Sequence, residues 1–306
     1  MKTLRISLLT SLLFLVSMLF PVYGAEVNGI YYSITSSTDL TVAVTYRNRD
    51  YNSYSGVVSI PETVTILGKT YRVTSIGQLA FYKCSELTEV SIPSSIVSID
   101  GWAFSECPEL TTINISNGVK YIGQSAFYQC SKLSKLSIPN SVTLIEDGAF
   151  ASCSNLTSIV IPNSVTKIGG GILDNCLRLD SLSLPFVGDT IDAPKFPFGH
   201  LFNGNPEENC IAAFQYYSNG LNGSKTYYIP ASLKTVTITG CNKIPYRSFI
   251  NCKGIESIIL GEGIEIIEDE AFYFCSGLKS LSIPNTMKSI GNKSFWACTS
   301  LDSHPS

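Results

Sequence analysis

Histidine is almost missing from this chain. Its 306 residues contain two, His200 and His304. A catalytic triad or a Cys-His pair would have to be built on His200. That residue sits in Phe198-Gly199-His200-Leu201-Phe202 with no nucleophile motif beside it. Neither Cys-x-x-Cys nor His-Glu-x-x-His occurs, which removes the usual zinc signatures. Gly169-Gly170-Gly171 lacks the Lys-Ser/Thr that a phosphate loop requires. Charge is also scarce: 15% of residues are charged and the net charge is −3, so there is no basic footprint for nucleic acid. Glu262, Glu265, Glu268, Asp269 and Glu270 crowd together, and such a run reads as a solvated acidic edge. A glycosidase-type carboxylate pair has no positive signal. The expectation is a protein with no catalytic residues, no cofactor and no metal.

Long apolar runs are missing beyond the first residues. There, Lys2 and Arg5 precede the apolar stretch Ile6–Phe20, followed by Pro21-Val22-Tyr23-Gly24-Ala25. This is the pattern of an export signal, with cleavage near Gly24 or Ala25. The stretch is shorter than the roughly 18–20 residues of a membrane span. The mature chain is therefore expected outside the cytoplasm, with no transmembrane segment.

Cysteine, by contrast, is present in a strict rhythm. Cys84, Cys107, Cys130, Cys153 and Cys176 are 23 residues apart, and the step returns at Cys252, Cys275 and Cys298. A fixed period in the twenties is the mark of stacked, similar coils. In such a stack each thiol lies about 4.8 Å from its counterparts. Parallel side chains at that spacing seldom reach disulfide torsion, so buried free thiols are expected. Cys210 and Cys241 break the rhythm and are the candidates for any bonded pair.

Each unit opens with leucine. Leu87-Thr88-Glu89-Val90-Ser91-Ile92-Pro93 recurs from Leu110, Leu133, Leu156 and Leu179, and after an interruption from Leu233, Ile255 and Leu278. Alternation of Val90 and Ile92 with polar neighbours predicts a short strand with one buried face. The second half carries Ile96, Ile99, Ala103, Phe104 and Cys107, repeated as Val119, Ile122, Ala126, Phe127 and Cys130. The Ala-Phe-x-x-Cys spacing predicts one short helical turn per coil. Phe104, Phe127 and Phe150 then form an aromatic spine. In the fourth unit Ile172 and Leu173 replace Ala-Phe.

The unit L-x-x-[IVL]-x-[IL]-P-x-[ST]-[VI]-x-x-I-x-x-x-A-F-x-x-C resembles the BspA-type leucine-rich repeat. Leu133–Asn155 and Leu278–Ser300 match it most clearly, and the resemblance spans about residues 57–301. It implies a leucine-rich repeat solenoid in a secreted or surface protein. It also implies adhesion, with host matrix or other cell-surface proteins as partners, and no catalytic residues.

The expected organisation is a signal peptide (1–24), an N-terminal β cap with a degenerate first repeat (25–80), a repeat array (81–185), an aromatic-rich insertion (186–232) and a second array with an uncapped end (233–306). Within 25–80, strands are expected at Gly29–Ile34 and Leu40–Tyr46, with a hairpin turning near Gly68. The strand face is the expected protein-binding surface, through Glu89, Ser91, Thr112, Asn114, Lys135, Ser137 and Ser158. The insertion supplies Phe198, His200, Tyr216 and Tyr217 as further candidates, and a glycan-binding or glycan-processing accessory using that insertion is the alternative. Most insertion rings are expected to fill a subsidiary core bridging the two arrays. The open C-terminal end suggests self-association by edge pairing.

Overall fold

A computed structural model describes residues 24–48, 51–192, 194–217 and 223–301. The segment Ile6–Phe20 and His304 lie outside these residues. The leucine-headed strands stack in parallel, one per repeat. Glu86–Ser91 pairs with Thr112–Asn114, placing Glu89 opposite Thr112 and Ser91 opposite Asn114. A six-stranded sheet then runs through Lys135–Ser137, Ser158–Val160, Ser181–Leu184, Thr235–Ile238, Ser257–Leu260 and Ser280–Ser282. The 23-residue period sets the register of Lys135 on Ser158, Ser158 on Ser181 and Ser257 on Ser280, while Thr235 pairs with Ser257 at a step of 22; in each case apolar positions fall over their counterparts. Val90, Ile113, Leu136 and Ile159 are all buried, while the residues between them face outward.

A second line of two-residue strands holds the Ile99, Ile122, Ile145 and Ile168 column in one sheet. Beyond the insertion it resumes as a separate three-stranded sheet through Lys243–Ile244, Ile266–Ile267 and Ser289–Ile290.

The Ala-Phe-x-x-Cys segments correct the expected helical turn. Among the described residues the one helix is a 3₁₀ turn, Phe198–Leu201. In the repeats, alternate amides point along the stack instead. The Leu79, Phe81 and Lys83 N–H groups donate to the Gly101, Ala103 and Ser105 carbonyls of the next repeat. The intervening Ala80, Tyr82 and Cys84 amides close local turns three residues back. This alternation requires left-handed backbone at two places per turn, such as Trp102 (φ 55°) and Glu106 (φ 58°). A helix would direct every amide back into its own segment. Here the stack takes half of them, and a third backbone ladder results.

The aromatic spine forms as expected. Ring centroids of Phe81, Phe104, Phe127 and Phe150 follow one another at 4.8, 5.2 and 5.8 Å. After the aliphatic gap at Leu173 the stack resumes through Phe198, Phe249, Phe272 and Phe295 at 4.7, 5.2 and 5.4 Å. The thiols lock the same column. Cys107, Cys130, Cys153, Cys176, Cys275 and Cys298 each donate to the carbonyl of the phenylalanine 26 residues earlier, at 2.9–3.3 Å. All ten cysteines are free, including Cys210 and Cys241. Burial pushes the Cys153 thiol up to about 12, which suppresses the reactive thiolate.

At the N-terminal side, Ala25–Val27, Ile30–Ser36 and Thr41–Thr45 form an antiparallel meander. Thr41–Thr45 then pairs in parallel with Lys69–Ile76, which leads into the Ile99 line. The hairpin Thr63–Ile66/Lys69–Ile76 turns at Leu67-Gly68, both left-handed. Tyr54 extends the ring stack onto Phe81 at 4.4 Å, and its hydroxyl donates to the Thr45 carbonyl.

Truncating the spine is expected to cost according to burial. Phe127→Ala should lower unfolding stability by about 3–5 kcal/mol. Phe295→Ala, at a half-buried ring, should cost distinctly less. Urea midpoints of the two variants check the order.

Candidate functional site

Two surfaces and one junction carry the candidate residues. The first surface is the outer side of the leucine-headed strands. Ser91, Thr112, Asn114, Lys135, Ser137 and Ser158 are exposed there, and Glu89 is half-buried. Successive repeats set these side chains in straight columns, as in Lys135 opposite Ser158 and Ser158 opposite Ser181. The face is not continuous over its whole length, because Thr112–Asn114 and Lys135–Ser137 belong to different sheets. Across the insertion, however, it is unbroken. Ser183 lies directly opposite Thr237, although 54 positions separate them in the chain.

The insertion therefore leaves on the other side of the molecule. Its first part hides a repeat turn. The Gly171 and Leu173 amides donate to the His200 and Leu201 carbonyls, just as Gly148 and Phe150 donate to Gly170 and Ile172. Leu201-Phe202 thus takes the Ala-Phe place. A constant step of 23 from Ile172-Leu173 leads to Lys195-Phe196, so six extra residues conceal it. Phe198 is fully buried, stacked on Phe249, which corrects its assignment as a binding residue. His200 is half-buried at the junction. Its ring stacks on Phe196 at 4.3 Å and lies against Gly170, and burial lowers its pKa.

The second part of the insertion is the hairpin Cys210–Tyr216/Ser224–Pro230. Gln215, fully buried, ties it to both sides. Its Oε1 accepts from the Gly199 amide at 2.8 Å, and its Nε2 donates to the Ile250 carbonyl at 2.8 Å and meets Cys252 Sγ at 3.3 Å. A Cβ on Gly199 would fall 2.5 Å from Gln215 Oε1 and 2.6 Å from the Tyr227 ring, so glycine alone fits. Asp174 anchors the start of the hairpin segment. Burial raises its carboxyl to about 6, and hydrogen bonds from the Gly204 and Asn203 backbone offset part of that rise. Tyr216 is exposed and Tyr217 half-buried. Neither Gln215 nor Asp174 announces itself in the sequence, since an isolated amide or carboxylate carries no motif.

The second surface follows the turn face. A shallow groove of about 610 Å³ crosses the first five repeats, lined by Lys83, Glu106, Gln129, Ser152 and Asn175 and closed by Glu207 of the insertion. No group of three or more metal-ligating side chains occurs among the described residues. No helix among them is long and apolar enough to cross a membrane.

The family described as the BspA type leucine rich repeat region matches this chain in six copies, over residues 74–196 and 223–304. It is a repeat family rather than an enzyme family. Among solved structures, a leucine-rich cell surface protein from Faecalibacterium prausnitzii is similar at 22% identity and TM-score 0.50, covering 92% of this chain and 94% of that one. A leucine-rich repeat protein from Bacteroides ovatus is similar at 25% identity and TM-score 0.48, covering 91% and 81%. No curated protein matches.

Two measurements probe the junction. Gln215→Ala leaves the Gly199 amide and Ile250 carbonyl buried and unpaired, an expected cost of about 1–3 kcal/mol; limited proteolysis should cut within 203–232 faster. For Asp174, the folded pKa of about 6 exceeds the ordinary 3.8, so folding favours the protonated acid. Its contribution is complete below the ordinary value and is lost as pH rises through about 6. Asp174→Asn should therefore flatten that part of the stability profile, and thermal melts across the window read it directly.

Proposed function

This chain belongs to the BspA-type leucine-rich repeat family, and from that premise we propose that it is an exported adhesion module that binds protein on its strand face. One observation carries the reading. The six-stranded face passes the long insertion without losing register, with Ser183 set against Thr237. An insertion that served only to break the array would have divided this sheet. The outward columns are flat and made of small, mostly uncharged side chains, such as Ser137, Ser158, Thr237 and Ser282. Such a surface suits many modest contacts over a wide area rather than one deep anchor, with avidity when several copies act together. Val160, 60% exposed, and Ile259, 40% exposed, add apolar contact within the same columns.

In this reading the stacked repeats form a solenoid, and the meander at 25–45 covers the first end of its core. The apolar segment near the N-terminus directs export, and the partner is a host matrix protein or another cell's surface protein. The buried thiols of Cys107, Cys130, Cys153, Cys176, Cys252 and Cys275 are compatible with an oxidising exterior, since burial raises their pKa and keeps them out of reach of an oxidant.

Ser137→Arg combined with Ser158→Arg places two bulky charges in adjacent columns. Binding to immobilised matrix proteins should fall at least tenfold while the melting temperature stays unchanged, because both positions are exposed. Undiminished binding by a folded double variant would remove the strand face from consideration.

A further inference from the structure

Among the described residues, five aromatic rings are exposed: Phe214, Tyr216, Tyr246, Phe274 and Trp296, at 40–57%. All five fall between residues 214 and 296, and Phe214, Tyr216 and Tyr246 gather around Arg247 on the turn side of the repeats. The hairpin rings Phe214 and Tyr216 meet edge to face at 5.2 Å. The Arg247 guanidinium lies 5.1 Å from the Tyr216 ring centre and 4.9 Å from that of Tyr246, and Glu270 holds it at 2.7 Å. Asn251 Nδ2 donates to the Phe214 carbonyl at 2.7 Å. The next repeat brings Phe274 and the following one Trp296, joined by the Phe274 amide donating to the Trp296 carbonyl.

The fold does not require the rings at Tyr246 and Phe274. The repeats supply an internal comparison, because equivalent positions do equivalent structural work. Where Tyr246 stands, other repeats carry Gly101, Gln124, Asp147, Gly170, Asp269 and Asn292. Where Phe274 stands, they carry Lys83, Glu106, Gln129, Ser152, Asn175 and Asn251. That column is left-handed throughout, with Phe274 at φ 59°. A bulky ring is an unfavourable choice for left-handed backbone, and an exposed one gains little packing in return. Exposed aromatics at places where packing does not ask for them, with Tyr216 and Tyr246 set against an ion-paired Arg247, mark a recognition surface.

The geometry also indicates what it recognises. The Phe274 column is the same one that lines the groove on the other side of the insertion, so the surface runs along the stack and offers one side chain per repeat, here Asn251, Phe274 and Ala297. In this half the repeat step is 5.2–5.4 Å, measured on the Phe249, Phe272 and Phe295 rings. An extended peptide advances about 3.3 Å per residue and falls out of step. A β-linked pyranose chain in its extended form advances by close to one repeat step per sugar. Its apolar C–H faces stack on aromatic rings, and its hydroxyls suit planar partners such as Arg247, Glu270 and Asn251. Arg247 and Glu270 are already paired, so the patch offers no net charge at its centre and favours a neutral polymer.

We propose that the turn face formed by Phe214, Tyr216, Tyr246, Arg247 and Phe274 is a binding site for an extended, neutral, β-linked polysaccharide. The site is independent of the strand face and stands or falls separately from it.

The test uses the full chain and two substitutions that other repeats already contain, Tyr246→Gln and Phe274→Asn, singly and together. Calorimetric titration with cellohexaose and xylohexaose, with maltohexaose as the α-linked control, is paired with retention on insoluble cellulose and chitin. The wild type should bind at least one β-linked probe and discriminate against maltohexaose. The double variant should bind at least tenfold more weakly with an undiminished melting temperature, since asparagine tolerates left-handed backbone better than phenylalanine. Absence of binding to every β-linked probe overturns the proposal, as does equal binding by the double variant or equal binding of maltohexaose. Capture of a matrix protein that the double variant loses, with no glycan retained, overturns it too and assigns the patch to protein recognition.

Discussion

Outside the junction at the insertion, each repeat is held to the next by a joint between a phenylalanine and a cysteine. The ring stacks on its neighbour, its amide donates to the following repeat, and its carbonyl accepts the thiol that arrives 26 residues later. Dispersion, a backbone hydrogen bond and a weak thiol bond thus act on one residue, in a column closed to water. No repeat could bury this joint alone, because its partner atoms lie above and below. Stability in such an array is distributed over nearest-neighbour interfaces, and the length of the array is free to vary. The choice of cysteine follows from the geometry: the site is small and apolar and faces a carbonyl. A thiol fills the space and offers a donor without the desolvation cost of a hydroxyl.

The turn ladder explains how the same stack presents two unlike faces. On the strand side, alternation sends every second side chain outward, giving regular columns of small residues. On the turn side, amides alternate between local turns and the next repeat, and the left-handed residues between them project outward. That second face tolerates nearly any side chain at its exposed positions, from Lys83 to Phe274. It is therefore the face on which exposed residues can change without disturbing the core. The groove on the N-terminal half and the aromatic patch on the C-terminal half are two fillings of the same backbone frame.

The insertion joins these halves without interrupting the strand face. Leu201-Phe202 completes the preceding repeat, Phe198 passes the ring stack on to Phe249, and Gln215 fastens the hairpin to both. Most of its aromatic content is spent inside this junction. The rings left outside, Phe214 and Tyr216, are the ones that meet Arg247 of the following repeat.

The chain by itself determined the period, the buried columns, the phenylalanine spine, the unpaired thiols and the outward strand residues. All of these follow from which positions recur every 23 residues, and recurrence places them in one column whatever the remaining details. The hairpin turning near Gly68 was legible from local pattern, since a glycine between two strand-like runs is a turn signal. What tertiary structure alone decided lies where that period fails or where local pattern carries no direction. Six extra residues hide the Leu201-Phe202 turn. The Ala-Phe-x-x-Cys spacing suits a helical turn equally well until neighbouring carbonyls take half of the amides. Burial of Phe198, the seating of His200 against Gly170, the Gln215 clamp across 16 and 35 positions, and the meeting of Tyr216 with Tyr246 around Arg247 all depend on contacts between segments distant in the chain. Such contacts leave no trace in local spacing, because their partners are chosen by the folded backbone and not by sequence separation.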